Sequence, residues 1–137
     1  MKKIKEFLLM SLVIMLTSLS CNPDDDPFVD PGDDRDQFLG AWSVDETCFK
    51  TNYTVTITKD PGNSAQILLK NFCNPGPNYG PAVGLVAGSK IFISNQTIGD
   101  GWTVSASGTL QNPHTILWTY TLVIGANSLS CTSEFNK

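Results

Sequence analysis

A period of two in the hydrophobic pattern constrains the fold of this chain more than any other feature. Tyr53, Val55 and Ile57 fall on one face of a short segment while Thr54, Thr56 and Thr58 fall on the other. Successive side chains of a strand point to opposite faces, so the segment reads as a half-buried strand. Trp102–Leu110 repeats the scheme, and Ile116, Trp118, Tyr120, Leu122 and Ile124 alternate mostly with threonines. Leu129, Cys131 and Phe135 oppose Ser128, Ser130, Thr132 and Glu134. With the shorter candidates Gly40–Cys48, Gln66–Phe72, Ala82–Ala87 and Lys90–Asn95, about eight strands are expected. Turn signals separate them at Asp60-Pro61-Gly62-Asn63, Ala87-Gly88-Ser89-Lys90 and Gly99-Asp100-Gly101. Short turns imply an antiparallel meander, either a barrel or a sandwich.

The chain begins differently. Lys2, Lys3 and Lys5 precede an apolar run from Phe7 to Leu19, which ends at Ser20-Cys21. About 20 apolar residues are needed to cross a bilayer, and this run is shorter. A basic start, a short apolar stretch and small residues at its end mark a cleaved signal peptide, here residues 1–20. Ser18 and Ser20 also fit an ordinary secretion cut, so a released form stands beside an anchored one.

Residues 22–36 hold seven aspartates against Arg35, a net charge of −6, whereas residues 37–137 are neutral. Such a segment has too little apolar surface to fold, so 21–36 is expected to be an extended tether and 37–137 one small domain. The aspartates lack the spacing of a calcium loop, so no metal site is expected.

Three resemblances follow from these residues. The cysteine that ends the signal resembles a bacterial lipoprotein processing site, which implies acylation of Cys21, for example by palmitate. The start Cys21-Asn22-Pro23-Asp24-Asp25-Asp26 resembles the surface-export signal of Bacteroidota lipoproteins, which implies an outer-membrane anchor and a domain facing outward. Phe38-Leu39-Gly40-Ala41-Trp42 resembles the Gly-x-Trp opening of lipocalins. With Tyr53/Val55/Ile57, Asn71-Phe72 and Cys131, the domain is similar to the short lipocalin-like lipoproteins of Bacteroidota. The expected fold is therefore an all-β, up-and-down barrel, with a β-sandwich as the alternative.

An eight-stranded barrel either fills its interior with side chains or holds one small ligand. The expected inward set is Trp42, Val44, Tyr53, Val55, Ile57, Ile67, Leu69, Val83, Leu85, Ile91, Ile93, Trp102, Val104, Trp118, Tyr120, Leu122, Leu129 and Phe135. Of these, Trp42, Tyr53, Val55, Ile57, Trp102, Trp118 and Tyr120 are the candidates for lining a ligand, with plain core as the competing reading. With Cys21 set aside, Cys48, Cys73 and Cys131 remain. First and last strands are neighbours in a closed meander, which favours a Cys48–Cys131 disulfide over Cys48–Cys73.

No catalytic set emerges, and an enzyme is not expected. His114, the only histidine, follows Pro113 in a turn, and Asp45 and Glu46 point to opposite faces of one strand. The neutral domain has no basic stripe, so nucleic acid is not an expected partner, and no cofactor is expected. Two functions remain: a membrane-anchored binder of a small apolar or amphipathic ligand, or a structural or adhesive domain with a filled interior that touches a protein or glycan. Tyr79, in the loop Asn74–Pro81, is the candidate contact for the second.

Overall fold

The computed structural model describes residues 32–137. The expected signal, the expected acylation site Cys21 and the expected tether up to residue 31 lie outside the described residues. Eight strands follow one another: β1 (Gly40–Glu46), β2 (Asn52–Lys59), β3 (Gln66–Lys70), β4 (Ala82–Ala87), β5 (Lys90–Gly99), β6 (Trp102–Asn112), β7 (Thr115–Ile124) and β8 (Asn127–Asn136). Each pairs antiparallel with the next, and β8 returns to β1 to close a barrel. The closing seam sets Val44 opposite Phe135 and Glu46 opposite Ser133. Closure satisfies every strand edge, so the meander expected from short turns resolves as a barrel and not a sandwich.

The two ends of the barrel differ. A 3-10 helix, Asp34–Phe38, precedes β1 and marks the end where the described chain enters. Phe38 and Trp42 are fully buried there, and the Trp42 indole N–H donates to the Phe38 carbonyl at 2.7 Å. Lys137 Nζ lies 4.1 Å from the centre of the Trp42 ring and donates to the Leu39 carbonyl at 2.6 Å, which covers the tryptophan.

Residues 33–36, expected to belong to the disordered tether, are part of the domain. Arg35 chelates Asp33 through Nε and Nη2, and its Nη1 donates to the carbonyls of Asp60, Asn63 and Gln66 in the β2–β3 turn. Lys59 pairs with Asp33 at 2.9 Å and with Asp36 at 2.6 Å. Composition alone hid this, because Asp33 and Asp36, which read as part of a repelling run, have their cations supplied by Arg35 and by Lys59 on β2.

The inward set is as expected except on β4. Val83 and Leu85 face outward, with Leu85 46% exposed, while Ala82, Gly84 and Val86 face the interior. The reason is space: a Cβ on Gly84 would come 2.7 Å from Ile91 Cγ2 and 3.2 Å from Leu69 Cδ1. On β5 the ladder slips between Ile93 and Gln96, and this bulge changes which residues face inward, so Ile98 joins the core. On the other side of β5, the Gln96 side chain bonds β4 beyond the end of the β4–β5 ladder, accepting from Val83 N at 2.7 Å and donating to Val83 O at 2.9 Å.

Candidate functional site

At the end opposite chain entry, the mouth, the loops β1–β2, β3–β4, β5–β6 and β7–β8 gather. The β3–β4 loop does not stand clear of the barrel but folds into it. Asn71, Cys73 and Asn74 adopt positive φ of 67, 62 and 53°, which turns the chain back so that Phe72 and Cys73 become buried. Asparagine tolerates this left-handed conformation better than most residues, and the Asn71 amide holds it by donating to the Thr54 carbonyl at 3.1 Å. The Phe72 ring then sits 5.0 Å from Trp118, 5.7 Å from Tyr120 and 6.0 Å from Phe135, centre to centre.

Beneath this plug lies a polar cluster. Glu46 follows Trp42 and Val44 on the inward face of β1 and is 3% exposed. Its Oε2 accepts from the Tyr120 hydroxyl at 2.5 Å and from the Tyr53 hydroxyl at 3.0 Å. Burial raises both phenol pKa values well above the usual range, and the Glu46 carboxylate adds to the shift. Burial likewise pushes the Cys73 thiol up, again with Glu46 contributing. Among the described residues four buried side-chain polar atoms have no partner in the protein: Asn71 Oδ1 in the β3–β4 loop, and Glu46 Oε1, Ser133 Oγ and Trp118 Nε1. The last three belong to directly paired residues on β1, β8 and β7. A carboxylate fixed by two phenols beside a hydroxyl and an indole N–H can hold a small polar molecule by hydrogen bonds.

Above the plug the rim is aromatic. Phe49, 42% exposed, stacks on Trp102 with ring centres 6.1 Å apart. Pro75 and Trp102 flank Gly99, where an added Cβ would come 3.1 and 3.2 Å from them, and the Tyr79 ring packs against Gly76. Cys48 and Cys131 form a disulfide with Cα atoms 5.4 Å apart, tying the β1–β2 loop to β8. This is the pairing favoured by first and last strands being neighbours, and Cys73 stays a buried free thiol.

The structure separates the candidate residues into two groups. Trp42, Val55, Ile57, Trp118 and Tyr120 are buried and packed together, while Tyr53 and Trp102 reach the mouth half-buried. Tyr79 is 39% exposed, and His114 lies exposed in the β6–β7 turn at the entry end. Concave regions of about 430 and 510 Å³ lie on the barrel's outer wall, lined by consecutive triplets of neighbouring strands such as 45–47, 117–119 and 132–134. Glu46 and Phe72 were missed as site residues. The alternation Trp42, Val44, Glu46 already placed the carboxylate inside, whereas nothing local signals that the β3–β4 loop turns inward. Among the described residues no cluster of three metal-ligating side chains occurs. No family model and no curated protein matches the chain.

Proposed function

We propose that this chain is an exported, lipid-anchored display domain, in which a filled barrel holds one set of loops outward for contact with a partner. The observation that carries this reading is the interior itself. Trp42, Phe38, Phe72, Trp118 and Phe135 are each at most 2% exposed and occupy the barrel from entry end to mouth. An apolar ligand of ordinary size needs a pocket of about 300 Å³ or more, and these rings stand where it would sit. The chain enters at one end and the aromatic loops gather at the other, which suits an anchor at Cys21 and a working surface pointing away from the membrane. The resemblance to lipocalin-like lipoproteins of Bacteroidota supports the anchor and the outer-membrane location.

The test is made on intact cells. An antibody against the β3–β4 loop should label unpermeabilised cells, and a Cys21→Ala variant should move the protein to the medium or periplasm. Labelling only after permeabilisation, or unchanged membrane retention of the variant, contradicts the reading.

A second reading, ligand binding beside the Glu46 carboxylate, is favoured by one observation: the unpartnered atoms Glu46 Oε1, Ser133 Oγ and Trp118 Nε1 on cross-strand neighbours. Such a ligand would be small and hydrogen-bonding, not the apolar molecule suggested by the aromatic pattern.

A further inference from the structure

The mouth rim carries a continuous strip of rings whose chemistry selects a class of partner. Phe49 stacks on Trp102, Trp102 and Pro75 meet across Gly99, and Tyr79 lies against Gly76 next to Pro75. Phe49 and Tyr79 are the two aromatic side chains of the mouth loops that are substantially exposed, at 42% and 39%. Phe49 stacks on Trp102 and leaves the rest of its ring at the surface, open to contact. The four mouth loops carry only two charged side chains, Lys50 and Asp100. The nearby polar groups are instead neutral amides, with Asn52, Asn78 and Asn127 all exposed.

From this juxtaposition we infer that the Phe49–Trp102–Pro75–Tyr79 strip is a binding surface for a neutral glycan chain. The inference rests on the display reading above and names its partner. Aromatic faces are apolar platforms on which the C–H faces of a sugar ring can stack, and amides exchange hydrogen bonds in both directions with hydroxyls. An acidic polysaccharide or a nucleic acid would ask for cations that this rim does not supply. Gly99 is what lets the strip close: with any side chain there, Pro75 and Trp102 could not approach as they do.

The experiment uses the full anchored chain in detergent micelles and soluble neutral oligosaccharides of glucose, mannose and N-acetylglucosamine, with a uronic acid oligomer as the charged control. Trp42 and Trp118 are buried, so a change in tryptophan emission on titration reports chiefly on Trp102. The expected result is saturable binding of at least one neutral oligomer and none of the uronic acid. Phe49→Ala and Tyr79→Ala should each weaken binding by about tenfold, the scale of one lost ring contact, with unchanged unfolding midpoints. Absence of saturable binding by every oligosaccharide, or binding indifferent to both substitutions, overturns the inference. Capture of a host protein that both substitutions abolish, without sugar binding, also overturns it while leaving the display reading intact. The display reading does not depend on this titration: it is tested separately by the cell labelling and the Cys21→Ala variant.

Discussion

Glu46 Oε2 receives two phenol hydroxyls inside the barrel, so the residue holds Tyr53 and Tyr120 in place as much as they hold it. Glu46→Ala leaves the buried Tyr120 hydroxyl and the half-buried Tyr53 hydroxyl without their acceptor and is expected to destabilise the domain by about 3 kcal/mol. Glu46→Gln, which keeps an acceptor, should lose clearly less, and urea unfolding of the two variants checks the order. The same cluster sets a response to alkali. Burial raises the pKa values of Tyr53, Tyr120 and Cys73 in the folded chain, so the unfolded chain gives up these protons first as pH rises. Stability is therefore fully present below the unfolded values, about 8.5 for cysteine and 10 for tyrosine, and falls as pH climbs past them. Urea midpoints measured from pH 8 to 11 should decline, and Tyr53→Phe with Cys73→Ala should flatten the decline. At the entry end the sign reverses. Arg35 and then Lys59 hold the Asp33 carboxyl well below the usual carboxylate range, so that contribution is lost in acid.

At the level of elements, two glycines let neighbouring strands carry large side chains. A Cβ on Gly108 would come 2.8 Å from three atoms of the Trp118 ring, and one on Gly84 would meet Ile91 and Leu69. Gly108→Ala and Gly84→Ala should each cost about 1–3 kcal/mol through overpacking, with the larger loss at Gly108, where a rigid indole is the neighbour; thermal unfolding measures it. These glycines also show where sequence reading stops. The number of strands, their turns and the Cys48–Cys131 pair were legible because alternation and turn chemistry are local properties. In Ala82-Val83-Gly84-Leu85-Val86-Ala87 apolar residues occupy both faces, so the pattern cannot choose between them. What chooses is the fit of Gly84 against β5 and β3, a contact far apart in sequence. The β5 bulge that turns Ile98 inward and the left-handed residues that bring Phe72 into the barrel are likewise consequences of packing.

For the whole molecule, closure is the organising fact, and the disulfide reinforces it. The Cys48–Cys131 bridge spans 83 residues across the β1–β8 seam, so reduction should cost ~4 kcal/mol by chain-entropy reasoning. The buried Cys73 thiol should stay unreactive toward alkylating reagents until the barrel unfolds. On the proposed reading, a barrel anchored from one end and aromatic at the other acts by presenting its rim and needs no empty interior. Native mass spectrometry of the mature chain purified from its host tests that claim most directly. The account predicts the mass of the polypeptide with its N-terminal lipid and nothing more, or at most a small polar adduct beside Glu46. A stoichiometric apolar molecule that survives gentle desolvation would contradict it, because the space it needs is filled by Phe72, Trp118 and Phe135.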